Sequence, residues 1–94
     1  MRKLFWYTSF RRAFKRRTRN NPALQDRVFQ VLERLVEDPF HPLLKTHKLS
    51  GQLKGLWACW VEYDCRIVFA FEPDPEGGED MIVLVDIGTH DEVY

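Results

Sequence analysis

The stretch LWACWVEYDCRIVFAF, residues 56–71, carries aromatic and branched side chains along two arms, has no glycine or proline, and breaks its apolar run at one polar turn, Tyr63-Asp64-Cys65. Alternation within each arm is the mark of pleated strands, so the stretch reads as a β-hairpin. A three-residue turn sets Trp57, Cys59 and Val61 opposite Phe71, Phe69 and Ile67, a wholly apolar face. The other face then carries Trp60, Glu62, Arg66, Val68 and Ala70, with Asp64 at the turn beside Glu62 and Arg66. A two-residue turn would flip one arm and send Arg66 toward Trp57, so the pattern predicts an odd-length turn or an equivalent bulge. The hairpin therefore has a face to be covered and a face left open for chemistry.

The segments before the hairpin supply the cover. Leu4 to Tyr7 is a short aromatic run read as an edge strand, and Thr8 or Ser9 is placed to cap the helix that follows. In that helix Phe10, Ala13 and Phe14 form a narrow apolar stripe among Arg11, Arg12, Lys15, Arg16 and Arg17. Asn20-Asn21-Pro22 ends it and starts a second helix, with Asn21 as cap and Pro22 in the first turn. There Leu24, Val28, Val31, Leu32 and Leu35 fall at helical spacing, so this stripe is expected against the apolar face of the hairpin. A loop from Phe40 to Lys54, with His41, Lys45, His47, Lys48 and Lys54, then leads into the first arm.

After the hairpin, Glu72 to Asp80 is an acidic, turn-rich loop, and Met81 to Ile87 reads as a further strand. Regular alternation predicts Met81, Val83, Val85 and Ile87 in the core, and Ile82, Leu84, Asp86 and His90 on the face shared with Arg66. That leaves Val68, Ala70, Ile82 and Leu84 as an apolar patch on the open face, the sign of a covering partner or of a second layer. The predicted fold is α+β: an N-terminal strand, two helices on one face of a small, mostly antiparallel sheet, in the order β-α-α-β-β-β.

Ninety-four residues read as a single domain spanning 1–94, large enough for a modest core without metals or disulfides. The formal charge is zero, yet residues 1–20 carry Arg2, Lys3, Arg11, Arg12, Lys15, Arg16, Arg17 and Arg19 with no acid, while residues 72–92 carry eight acids and no lysine or arginine. Such a gradient points to a polyanion-facing end balanced by an acidic one. Two cysteines outside any C-x-x-C or Cys/His cluster are expected as free thiols, with Cys59 in the core and Cys65 in the turn, in a reducing cytoplasm. No run of signal-peptide or membrane-spanning length appears, so a soluble cytoplasmic chain without membrane contact is expected.

His47, Asp64, Arg66 and His90 converge on the open face in this reading, with Lys45, Lys48 and Lys54 on the approach and Tyr94 able to reach back from the end. RNA cleavage needs a group to deprotonate a 2′-hydroxyl, a cation for the crowded phosphorane and an acid for the departing 5′-oxygen. Imidazole and guanidinium can supply these without a metal or cofactor. Each has an ordinary alternative: His47 as a surface residue, Asp64 as turn chemistry, Arg66 as a partner of Glu62, and Trp60 as packing rather than a base-stacking platform. Eight cations in twenty residues without an acid raise polyanion binding above a merely solvated helix face.

The run His47-Lys48-Leu49-Ser50-Gly51, then Gly55-Leu56-Trp57, Tyr63-Asp64-Cys65-Arg66-Ile67-Val68-Phe69 and Ile87-Gly88-Thr89-His90-Asp91-Glu92-Val93-Tyr94, resembles the RelE/ParE superfamily of bacterial toxins, and most of all its YafQ-like mRNA interferases. The likeness spans residues 22–94, and residues 1–20 match only in general layout. It implies a ribosome-dependent endoribonuclease acting on messenger RNA, held inactive by a cognate antitoxin. By position, His47 matches the loop histidine of the YafQ-like site, Asp64 its turn aspartate, His90 its terminal histidine, and Arg66 a phosphate-binding cation. Where those enzymes carry a second histidine on the first hairpin arm, this chain has Trp60, which cannot transfer protons.

The leading expectation is thus an RNA-cleaving toxin with His90 as general acid, Asp64 or His47 as base or its positioner, and Arg66 with Lys48 and Lys54 for transition-state charge. Lys45, Arg11, Arg12, Lys15, Arg16, Arg17 and Arg19 would bind RNA phosphates, and Trp60 or Tyr94 would stack on bases. The rivals are a ParE-like inhibitor of DNA gyrase on the same scaffold and a non-catalytic basic nucleic-acid-binding module.

Overall fold

The computed structural model describes residues 1–93. Strand β1 (Leu4–Trp6) leads into helices α1 (Thr8–Thr18) and α2 (Pro22–Glu37), and four strands follow: β2 (His47–Lys48), β3 (Trp57–Glu62), β4 (Cys65–Glu72) and β5 (Met81–Gly88). Single turns of 3-10 helix at Pro42–Leu44 and Gly51–Leu53 flank β2, and a short helix α3 (His90–Val93) follows β5. The sheet order is β1-β5-β4-β3-β2, with β1 parallel to β5 and the remaining neighbours antiparallel. The α+β fold expected from the sequence is present, with β2 and α3 added.

Both helices cover one face, as their stripes require. Phe10, Ala13 and Phe14 of α1 and Leu24, Val28, Val31, Leu32 and Leu35 of α2 are buried against Cys59, Val61, Cys65, Ile67, Phe69, Ile82, Leu84 and Ile87. Each such aliphatic or aromatic side chain withdrawn from water contributes roughly 1.5–3 kcal/mol before conformational entropy is counted. Asn21 caps α2 as expected, its Oδ1 accepting from the Leu24 N–H at 3.1 Å. Neither Thr8 nor Ser9 caps α1. Tyr7 occupies that position without a side-chain hydrogen bond, and the Ser9 hydroxyl instead donates to the Val85 carbonyl at 2.7 Å.

The hairpin keeps its predicted parity, and of the two ways the sequence allowed it uses the bulge and not the three-residue turn. Trp57 pairs with Phe69, Cys59 with Ile67 and Trp60 with Arg66, then the register shifts between Trp60 and Glu62, and Glu62 pairs with Cys65. Tyr63-Asp64 is thus a two-residue turn, and Val61 is the extra residue of a bulge that restores the sorting an odd turn would have given. Cys65 is therefore not a turn residue but the fully buried first residue of β4.

Strand β5 corrects the sequence reading more sharply. Ile82 pairs with Phe71 and Leu84 with Phe69, both facing the helices, whereas Val83 pairs with Ala70 on the other face. A register shift between Val68 and Phe69 then makes Val85 the extra residue, so Asp86 joins Val68 on the open face while Ile87 returns to the core opposite Ile67. Regular alternation had put Ile82 and Leu84 outside and Met81, Val83 and Val85 inside. Of that inner set only Ile87 belongs to the core cluster. The bulge removes two large side chains from the predicted apolar patch.

A bulge leaves backbone groups without ladder partners, and a buried or half-buried carbonyl then needs another donor. Here both are met from the helices: Ser9 donates to Val85, and Arg27 Nε donates to the Val61 carbonyl at 3.1 Å. The charge gradient is partly spent within the chain. Lys3 pairs with Glu76 and with Asp74, and Arg2 lies 3.6 Å from Glu79, so the acidic loop folds back onto the N-terminal strand.

Candidate active site

On the uncovered side of the sheet the register lines up residues across strands. One row runs His47, Ala58, Val68, Asp86, the next Trp60, Arg66, Gly88, and a third Ala70, Val83, Phe5. Ala58, Val68, Ala70 and Val83 form a floor of small side chains, buried between their strand neighbours. His47 and Arg66 thus share this face, as the sequence predicted, although His47 stands on edge strand β2 rather than in a loop. Asp86 stands on this face as the sequence predicted, opposite Val68, whereas the exposed aromatic pair Phe5 and Tyr7 at the β1 edge was not among the open-face residues read from the sequence.

The chain leaves this face at Gly88, opposite Arg66, and enters α3 through a capping box. Glu92 Oε1 accepts from the Thr89 N–H at 2.8 Å and Thr89 Oγ1 accepts from the Glu92 N–H at 3.2 Å. The signature Thr89-x-x-Glu92 is legible in sequence and would have predicted this helix. A Cβ at position 88 would stand 2.9 Å from Glu92 Oε1 and 3.2 Å from Glu92 Cβ and Val93 Cγ1, so a side chain there would press on the capping box. Hydrogen bonds from the Thr89 backbone, and secondarily its side chain, hold the Glu92 carboxyl below the usual carboxylate range. His90, the first residue of α3, is 66% exposed, with Nδ1 3.7 Å from Asp91 Oδ1.

At His47 the Nδ1 atom is 3.0 Å from the Lys45 carbonyl. A carbonyl only accepts, so the neutral ring carries its proton on Nδ1 and its basic lone pair on Nε2. Arg66 does not pair with the Glu62 carboxylate. Its Nη1 donates to the carbonyls of Glu62 at 2.8 Å, Tyr63 at 3.0 Å and Cys65 at 3.2 Å, which stiffens the hairpin turn. Asp64 turns toward α1, where Arg17 Nη2 donates to its carbonyl and to Oδ2 at 3.2 Å. The structure thus brings Asp64 to Arg17 and sets Arg66 two residues away, across from the start of the His90 segment.

Trp60 lies at the β3 edge between two cations, with Arg27 Cζ 5.9 Å and Lys45 Nζ 4.9 Å from its ring centre. Lys48 Nζ is 5.5 Å from the Trp57 ring centre, and Lys48 and Lys54 both line a hollow of about 420 Å³ beneath β2 with Leu49, Gly51 and Trp57. On α1, Arg11, Arg12, Lys15 and Arg16 are exposed, as is Arg19 just past its end. Arg11, Lys15 and Arg19 line a hollow of about 770 Å³ with Trp6, Phe14 and Phe29, on the helical side and away from the open sheet face. Tyr94 lies outside the described residues.

Burial pushes the Cys59 thiol up to about 12 and that of Cys65 up to about 11, so neither is a nucleophile near neutral pH. Among the described residues, no group of three or more His, Cys, Asp or Glu side chains is disposed to hold a metal ion, and no helix is long and apolar enough to cross a membrane.

The chain, a five-stranded sheet covered by two helices on one side with a basic first helix, is a bacterial toxin of the type II toxin-antitoxin class. Within that class the chain belongs to the YafQ family: the family described as "Bacterial toxin of type II toxin-antitoxin system, YafQ" matches residues 2–94. Among solved structures, the YoeB/ParE toxin from Agrobacterium tumefaciens superposes with a TM-score of 0.77 at 20% identity, covering 94% of this chain and 98% of that one. The metal-bound toxin from Helicobacter pylori gives 0.76 at 26% identity over 100% of both chains. The Escherichia coli DinJ-YafQ toxin-antitoxin complex gives 0.75 at 16% identity, over 99% of this chain and 97% of that one. No curated protein matches the sequence.

Proposed function

We propose that this toxin is a ribosome-dependent mRNA endonuclease, acting in the cytoplasm as one domain and silenced by a cognate antitoxin. The observation that carries the reading is the register of β4 and β5: Arg66 stands opposite Gly88, and α3 begins with His90 two residues later, at the same end of the open face. A phosphate gripped there would have a guanidinium on one side and an imidazole within the next turn of chain. His47 lies farther along the same face. The partner in the DinJ-YafQ complex is an antitoxin, which supports a proteinaceous inhibitor here too.

In the proposed reaction the 2′-oxygen of the RNA forms a bond to phosphorus while the bond from phosphorus to the 5′-oxygen breaks. The 2′-hydroxyl proton passes to Asp64 or His47. His90, entering as the imidazolium, protonates the departing 5′-oxygen, leaving a 2′,3′-cyclic phosphate and a 5′-hydroxyl. Arg66 neutralises the phosphorane, an electrostatic contribution worth about 2.7–4 kcal/mol for one well-placed donor in comparable sites. Lys45, Lys48 and Lys54 supply approach charge, while Arg11, Arg12, Lys15, Arg16 and Arg19 bind ribosomal RNA phosphates, which makes association salt-dependent. Trp60 has no proton to exchange and serves as a stacking surface, with Tyr94 in a matching role.

Inducing the chain alone and mapping transcript 5′ ends tests the reading. New ends within translated regions, lost on His90→Ala while antitoxin binding persists, are expected. Growth arrest without new ends, accompanied by inhibited supercoiling, would replace it with gyrase inhibition. Salt-sensitive binding to naked nucleic acid without arrest would leave a non-catalytic binding module.

A further inference from the structure

Arg17 departs from the other cations of α1. Its side chain is only 25% exposed, and its guanidinium engages the rest of the fold instead of solvent. Nη2 donates to the Asp64 carbonyl and to Asp64 Oδ2 at 3.2 Å, and Nη1 lies 4.0 Å from Glu92 Oε1. Glu92 is the residue whose carboxylate closes the capping box on Thr89, immediately before His90. Asp64 is in the turn whose carbonyls are gathered by Arg66. One planar cation therefore spans the hairpin turn bearing Asp64 and Arg66 and the short helix bearing His90.

We infer that Arg17 is a positioning residue of the cleavage site, fixing the turn of Asp64 and Arg66 relative to the helix of His90, and not a ligand of RNA phosphate. The inference rests on the proposed RNA-cleaving function and deepens it. Helix α3 is one turn long, seated by its capping box and the buried Val93, and too short to be stable by itself. Without Arg17 the Asp64 and Glu92 carboxylates would lose their shared cation, and the two elements would drift apart. A fork with two parallel donors suits this bridge, and a lysine supplies the charge without the fork.

The test is steady-state cleavage of ribosome-bound message by full-length wild-type, Arg17→Gln, Arg17→Lys and Arg16→Gln toxins, over a range of salt. Misplacement of catalytic groups by about 1 Å can cost on the order of 100-fold, so Arg17→Gln should lose about 10- to 100-fold in kcat with KM and its salt dependence within twofold of wild type. Arg17→Lys should recover part of that loss. Arg16→Gln, altering an exposed neighbour, should instead raise KM and lower the salt slope by about one. Should Arg17→Gln not fold, Arg17→Lys alone decides, since it is expected to show the same kcat-only defect in smaller measure. A raised KM with reduced salt slope at Arg17, or an unchanged kcat, would overturn the inference. A wild-type toxin that cuts no ribosome-bound message would instead refute the proposed function itself.

Discussion

Truncating Leu84 and Val85 separately tests the bulge that orients β5. Leu84 is fully buried, paired with Phe69 on one side and Trp6 on the other, and packs under the helices. Leu→Ala at such sites costs about 2–5 kcal/mol, because the cavity adds to the lost transfer energy, and we take about 3 kcal/mol here. Val85 is the half-buried extra residue of the bulge, so losing its two methyl groups should cost less than about 1 kcal/mol. A domain of this size shifts its melting temperature by about 4–8 °C per kcal/mol, which predicts a drop of about 12–24 °C for Leu84→Ala and under about 8 °C for Val85→Ala. Thermal melts followed by circular dichroism measure both shifts and urea unfolding both free-energy costs, with unchanged m-values showing that the denatured states are comparable. Equal costs, or a larger cost at Val85, would mean that the strand alternates regularly and that Leu84 faces outward.

Other outcomes follow from single contacts. Ser9→Ala should cost about 1 kcal/mol by orphaning the Val85 carbonyl, while Thr8→Ala should cost little; the reverse order in urea melts would restore a helix-capping role to Thr8. Both thiols are buried with raised pKa values of about 12 and 11, so alkylation at mildly alkaline pH should label the native chain far more slowly than the denatured one, and fast native labelling of Cys65 would contradict its placement in β4. The Glu92 carboxyl is held low by the Thr89 hydrogen bonds; a group depressed in the folded state adds stability above its unfolded pKa and loses it as pH falls through its folded one. Protection of the Glu92 and Val93 amides from exchange, relative to an unstructured chain at the same pH, should therefore fall below the ordinary glutamate range, and protection that persists at strongly acidic pH would refute the capping box.

What could be read from the chain depended on how regular each segment is. The α2 stripe and the Asn21 cap were legible because a 16-residue helix repeats its signal several times. The hairpin's two faces were legible because a bulge at Val61 and an odd-length turn sort side chains identically, so parity was fixed although the sequence left open which of the two the chain uses. Strand β5 was misread because a bulge at Val85 reverses parity partway and two bulky residues on either side give no hint of it. Strand β2, at two residues, is too short for any periodicity to mark. For the candidate site, the residue types were legible, but the use of Arg17 was not. Its neighbours in sequence are solvent-facing cations, and its contacts with Asp64 and Glu92 join positions 47 and 75 residues away.

The most direct test of an RNA-cutting centre on the open face is single-turnover cleavage of ribosome-bound message by wild type and by Arg66→Ala and His90→Ala toxins, with the chemistry of both new ends determined. The account predicts a 2′,3′-cyclic phosphate and a 5′-hydroxyl from the wild type, and a loss of about 100-fold or more in rate for each variant with message binding retained. Cleavage at the wild-type rate by both variants, or no cleavage by the wild type, would contradict it.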